Sequence, residues 1–264
     1  YPVTPALLLG EMRVVAPQDP PAIASLGVNG AQFSDCGPLR LIGAEVSHDQ
    51  AVPGELVAVE MAWEALAEMD VPAEVTLSLR SGGGEILRQW SVPPSAPWWP
   101  TSRWDVGSRW QGKAEIRLPG SLDSGTYGVT VAVDACEAAR LALPVVAPVR
   151  TWAMPPGFTP TDAVFGDRIR LAGHEVAGGP FSPGDRLSLS LAWEALTELE
   201  RAYRVFVHLV DDAGSIVAQN DGVPVGWTRP TPGWAVGEVV VDARPLQLRE
   251  SLPSGTYEIR VGLY

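Results

Sequence analysis

Apolar and polar residues alternate with a period of two over residues 56–63 and again over 187–193, the pattern of strands with one face on a core and the other toward water. The same alternation recurs over 75–79, 205–210, 239–242 and 259–263. Pro53-Gly54 and Pro183-Gly184 sit just ahead of the first two runs and predict tight turns there. Ser81-Gly82-Gly83-Gly84 and Asp211-Asp212-Ala213-Gly214 read as hairpin loops, because glycine accepts left-handed backbone and aspartate bonds the backbone just ahead of it. The stretches 64–70 and 194–201 carry some helical signal, but strands bracket them and they read as crossing loops.

The strand pattern occurs twice. Trp63-Glu64-Ala65-Leu66 returns as Trp193-Glu194-Ala195-Leu196, and Ser124-Gly125-Thr126-Tyr127 as Ser254-Gly255-Thr256-Tyr257, both at an offset of 130 residues. Arg40/Arg170, Gly43/Gly173, Pro53-Gly54/Pro183-Gly184, Leu79/Leu209, Trp104/Trp234 and Gly107/Gly237 keep the same spacing. Seven or eight short strands per copy, with Gly/Pro punctuation, predict an all-β chain of two tandem antiparallel immunoglobulin-like (fibronectin III-like) β-sandwiches. The expected division is a leading strand and linker over 1–32, a first sandwich over 33–148, a linker over 149–164 and a second sandwich over 165–264. Tyr127 and Tyr257 suit a tyrosine corner, in which the phenol bonds back to the preceding loop; a tyrosine merely half-buried on a strand is the alternative.

The copies differ at their ends. After Tyr127 the first continues into a further apolar segment at 141–146, for which the second has no counterpart. Tyr1-Pro2-Val3, running into Met12 to Val15, resembles Leu143-Pro144-Val145 and the residues after it. Residues 1–15 are therefore expected to close an upstream unit or to be donated to one of the two sheets, since a bare sheet edge invites aggregation. Opening on Tyr1 rather than Met, the chain reads as a portion of a longer one.

Of 264 residues, 46% are hydrophobic and 19% charged, enough for two domains with separate cores. A net charge of −12, with Lys113 the one lysine, argues against nucleic acid or an anionic membrane as partner. Its apolar runs are too short to span a bilayer, so no transmembrane segment is expected. Cys36 and Cys136 fall near the opening and closing strands of the first copy, which makes a bridge plausible; two inert buried thiols are the alternative. A bridge would close a loop of about 100 residues, stabilise by roughly 4 to 5 kcal/mol, and place the domain outside the cytoplasm.

Candidate chemistry is sparse. His48, His174 and His208 show no metal-ligand spacing, so neither metal nor cofactor is expected. Glu64 and Glu194, shared by both copies, read as strand-end hydrogen-bonding groups rather than catalysts. A glycosidase would need two carboxylates opposed across a cleft, and no spacing selects such a pair. The aromatic loop stands out: Trp98, Trp99, Trp104 and Trp110 fall within thirteen residues, and Trp227 and Trp234 occupy the matching loop. Indole planes stack on the apolar faces of sugars. The repeated Trp104/Trp234 pair suits a loop folded onto the core, leaving Trp98, Trp99, Trp110 and Trp227 as candidates for carbohydrate binding.

Phe165-Gly166-Asp167-Arg168-Ile169-Arg170-Leu171-Ala172-Gly173, Trp193 to Leu196, the run from Val205 to Asp211, Pro230-Thr231 to Trp234 and Leu252 to Tyr264 together resemble a recurrent bacterial β-sandwich module. That module is found after the membrane-spanning region of glycosyltransferases of the protein-mannosyltransferase type. The resemblance covers most of 165–264; the first copy has Val75-Thr76-Leu77-Ser78-Leu79 where the second has Val-Phe-Val-His-Leu. It implies an extracytoplasmic location beside a membrane enzyme, with a glycan or protein partner at the membrane surface. It implies no catalytic residue, since none of the transferase's lies here. The expected function is a non-catalytic accessory or interaction domain, with a carbohydrate-binding module and a hydrolase as the rival classes.

Overall fold

The computed structural model describes residues 20–28 and 31–264. Residues 1–15, expected to form a closing or donated strand, lie outside them. Among the described residues there is no α-helix; sixteen strands and three single 3-10 turns make up the regular structure. In the first half, β1 (Ala31–Cys36), β2 (Leu39–Val46), β3 (Leu56–Ala65) and β6 (Arg109–Arg117) form one antiparallel sheet. The other, in the order β5-β4-β7-β8, comprises β4 (Val75–Arg80), β5 (Ile86–Val92), β7 (Gly125–Val133) and β8 (Cys136–Val145).

The second half repeats this plan with one strand fewer. β9 (Thr159–Phe165), β10 (Ile169–Ala177), β11 (Arg186–Ala195) and β14 (Val239–Ala243) build one sheet, with β15 (Leu246–Gln247) also on β11. β12 (Val205–Val210), β13 (Ile216–Gln219) and β16 (Glu258–Leu263) build the other, in the order β13-β12-β16. Registers repeat as well: Leu41 faces Trp63 and Leu171 faces Trp193, with a bulge next to each pair before Gly43 and Gly173. A Cβ on Gly173 would lie 2.3 Å from Met154 Sδ, so glycine here lets the linker close on the sheet. β9 begins inside the 149–164 stretch read as linker and pairs with β10. Its residues are nearly all exposed at the sheet edge, so no apolar alternation marks them.

Buried apolar residues form two principal clusters. The first joins both sheets of the first half through residues such as Leu41, Trp63, Leu77, Val131 and Leu143. The second does the same through Leu171, Leu191, Trp193, Val207 and Trp234. Each half is thus sandwich-like, with a fully buried tryptophan, Trp63 or Trp193, at its centre; truncating either to alanine costs about 3 to 5 kcal/mol. Leu26, ahead of β1, packs with Ile42 and Ala62 on the outside of the first sheet. Cys36 and Cys136 form a disulfide with Cα atoms 5.6 Å apart, tying β1 in one sheet to β8 in the other.

The halves meet end to end. The Pro53-Gly54 turn of the first abuts the 3-10 turn Thr231–Gly233 of the second so closely that a Cβ on Gly54 would lie 2.2 Å from the Pro232 carbonyl carbon. A Cβ on Gly120 would likewise lie 2.5 Å from Trp234 O. Arg150, between the halves, donates to Gly120 O at 2.7 Å, Leu122 O at 2.8 Å and Asp123 Oδ1 at 3.2 Å. Its Nε lies 3.6 Å from Glu238 Oε2, and Val239 N donates to Thr151 O at 2.7 Å. Arg88 on β5 adds an ion pair to Glu198.

Candidate functional site

The tryptophan loop leaves β5 through Pro93-Pro94 and returns to β6. It lies flat on the sheet because Gly112 on β6 has no side chain: a Cβ there would sit 1.8 Å from Pro94 O. Trp99 O is the loop's anchor, accepting from Ser95 Oγ at 3.1 Å and from Trp104 Nε1 at 3.3 Å. Trp104 is buried and stacks on Trp110 with centroids 5.8 Å apart, and Trp110 meets Trp99 at 5.6 Å. Trp110 Nε1 donates to Ser108 Oγ at 2.9 Å. Trp99 and Trp110 are half-buried and pack against the core, so most of their apolar surface is already used.

Trp98 differs. It is 79% exposed and borders a shallow groove of about 390 Å³ with Gln111, Lys113 and Glu115. These three are the outward positions of β6, alternating with buried Gly112, Ala114 and Ile116. Gln111 Nε2 bonds Leu26 O, and Lys113 Nζ lies 3.6 Å from Glu60. The arrangement offers one apolar plane beside amide, ammonium and carboxylate groups on a rigid strand.

In the second half Trp234 repeats the role of Trp104, buried and donating to Arg229 O at 3.1 Å. Trp227 is 62% exposed, at a left-handed φ of 74°, with its indole against Gly222 and the Arg204 guanidinium 5.2 Å over the ring. Trp98 and Trp227 occupy matching loops one repeat apart. The four candidates therefore separate: Trp99 and Trp110 touch each other, whereas Trp98 and Trp227 stand in different halves.

The shared carboxylates are held by arginine. Glu64 bonds Arg40 at 3.3 Å and Arg109 at 3.1 Å, and Glu194 bonds Arg170. Asp211 accepts from Ala213 N at 3.1 Å and Ser215 N at 2.7 Å, fixing its hairpin. Among the described residues no three histidine, cysteine or acidic side chains gather to hold a metal ion. His48 faces Glu55, His208 faces Asp221 and His174 faces Thr161, each pair separately.

Two buried ionic clusters escape sequence reasoning. Asp242 accepts from Val225 N at 2.7 Å and Arg244 Nε at 2.6 Å, while Arg244 also reaches Gly222 O at 3.1 Å and Val223 O at 3.0 Å. This pair clamps the base of the Trp227 loop. Burial pushes the Asp242 carboxyl above its ordinary range, against the pull of Arg244. Glu238 accepts from Arg229 at 2.6 Å and Ala235 N at 2.9 Å, and faces Arg150 at the junction. The available signal was departure from the repeat, for Asp242, Arg244 and Glu238 stand where the first copy has Gly112, Ala114 and Ser108.

No protein-family model matches the chain, and no curated protein matches it. Among solved structures it is similar to a Pseudomonas fluorescens alkylpurine DNA glycosylase, at 12% identity and a TM-score of 0.30 over 43% of this chain and 32% of that one. It is similar to the C-terminal domain of wzt at 11% identity and a TM-score of 0.31, over 47% of this chain and 86% of that one. A Salmonella alpha-2-macroglobulin is similar at 12% identity and 0.32, over 92% of this chain but 15% of its own. Likenesses this weak carry no argument about fold or function. Among the described residues no helix is long and apolar enough to cross a membrane.

Proposed function

We propose that the protein is a non-catalytic extracytoplasmic accessory module: two tandem immunoglobulin-like (fibronectin III-like) sandwiches within a larger membrane-associated bacterial protein linked to glycan transfer. The observation that carries this reading is the use of the repeated carboxylates as structural anchors, Glu64 between Arg40 and Arg109 and Glu194 on Arg170. The immunoglobulin-like assignment draws on the tyrosine corners, in which Tyr127 Oη donates to Asp123 O at 3.0 Å and Tyr257 Oη to Pro253 O at 2.7 Å. A disulfide between outer strands suits an oxidising compartment. The kinship with the mannosyltransferase-associated module supports the membrane setting. A panel of chromogenic glycosides and esters tests the non-catalytic claim: no turnover is expected, and turnover abolished by Glu64→Gln or Glu194→Gln would overturn it.

Carbohydrate binding is the second reading, favoured by the exposed Trp98 plane beside Gln111, Lys113 and Glu115. On a glycan array, Trp98→Ala is expected to remove binding while leaving the thermal midpoint unchanged. Signals that survive Trp98→Ala would exclude this loop as the sugar site.

A further inference from the structure

Each sheet that contains β7 or β16 shows what the other lacks. β7 lies between β4 and β8, whereas its counterpart β16 pairs with β12 and, among the described residues, has no neighbour on its other side. Tyr264 and Arg204 exchange both backbone hydrogen bonds, each 3.0 Å. Alternation along an antiparallel pair then turns the N–H and C=O groups of Ile259, Val261 and Leu263 away from β12, toward the open edge. Beside that edge is an apolar cavity of about 510 Å³ lined by Phe181, Leu187, Leu209, Leu252, Tyr257 and Ile259, among others. In the first half the matching space is filled: Leu143 and Val145 of β8 are buried, and Ala51, the repeat equivalent of Phe181, bonds Pro144 O and Val146 N at 2.9 Å each.

The missing strand has a counterpart elsewhere in the chain. Val14-Val15-Ala16-Pro17 repeats Val145-Val146-Ala147-Pro148. Carried back along β8 at that offset, Leu8, Gly10, Met12 and Val14 take the inward places of Ala139, Leu141, Leu143 and Val145. Leu9, Glu11 and Arg13 take the outward places of Arg140, Ala142 and Pro144. Both charges thus fall on the water side and the larger apolar groups on the core side. Glu11 lands opposite Glu258, with Arg13 and Arg260 on the diagonals.

Reach decides whose segment it is. Pro21 O accepts from Arg109 at the end of the first half farthest from the junction, while the cavity, with Pro183 and Leu187, is at the far end of the second. The ten-residue strands β3 and β11 lie between them, a span of about 60 Å, against about 25 Å for the seven residues from Val14 to Pro21. We propose that the open edge of β16 and its cavity accept residues 8–15 of a second copy of this chain, joining molecules head to tail by strand donation.

Light scattering on the full chain tests this, with species of two or more chains expected to grow with concentration. Met12→Asp with Val14→Asp should raise the dissociation constant at least about 100-fold; a second variant, Ile259→Lys, should act the same way from the acceptor side. A monomer at every concentration up to about 1 mM would overturn the proposal. Leu9→Cys with Arg260→Cys places thiols opposite each other across the new pair, as Arg140 lies opposite Thr130 in the first half. A disulfide-linked ladder on a non-reducing gel is expected; an intramolecular bridge, or free thiols under oxidation, would refute donation between copies.

Discussion

Gly54 and Gly184 are repeat equivalents that separate the strain of a turn from the closeness of the junction. Both lie in left-handed backbone, at φ 78° and 88°, where alanine costs about 1 to 2 kcal/mol. A Cβ on Gly184 would meet only the flexible Glu250 Cγ, at 3.5 Å. A Cβ on Gly54 would meet three backbone atoms of Pro232 and Gly233 at 2.2 to 2.3 Å, more than 1 Å inside the ordinary contact distance of about 3.5 Å. No rotamer relieves such an overlap, so the second half must move away and Arg150 must leave Glu238. A buried charge left in this way adds about 1 to 3 kcal/mol. Gly184→Ala is therefore expected to cost about 1 to 2 kcal/mol and Gly54→Ala about 2 to 5 kcal/mol in urea unfolding. Trypsin gives an independent reading, since the Arg150 side chain is only 7% exposed: the Arg150–Thr151 bond should resist cleavage in the wild type and Gly184→Ala but not in Gly54→Ala. Equal losses from the two alanines, with that bond intact in both, would refute the argument.

Replacing Cys36 and Cys136 by alanine should lower the stability of the first half by about 4 to 5 kcal/mol through the loop of about 100 residues it frees, and leave the second half unchanged; two calorimetric transitions would report this. Tyr127→Phe and Tyr257→Phe should each cost about 0.5 to 1.5 kcal/mol, the worth of one hydrogen bond, in the half that carries the substitution. Asp242 fixes the sign of a pH effect: its folded-state pKa is raised above the ordinary 3.8, so the fold holds that proton more tightly than the unfolded chain. Its contribution is complete below pH 3.8 and declines as pH rises through the folded-state value. The wild type should lose stability relative to Asp242→Asn from pH 3.8 upward, and a difference that stays flat or grows the other way would contradict the assignment.

Strands and turns were legible where chemistry is local. The runs at 56–63 and 187–193 became β3 and β11, and the Gly/Asp hairpins fell at 81–84 and 211–214, because alternation and turn residues act over a few positions. Tyr127 and Tyr257 were readable for the same reason, each bonding a carbonyl four residues back. β9 was hidden because an edge strand with few buried residues carries no apolar signature. The tryptophans divided on a point that composition does not encode: whether a ring meets its neighbours, as Trp99 and Trp110 do, or stands clear, as Trp98 does. Arg150 and Glu238, 88 positions apart, gave no sign of meeting, since only the end-to-end approach of the halves brings them together.

The grip of Arg150 on three groups of the first half, with Thr151 bonded to Val239 of the second, leaves the connecting segment no slack. Tension applied to one unit reaches the next without a swivel taking it up. The pair is a strut rather than a tether, and it holds the Trp98 and Trp227 loops at one constant stand-off.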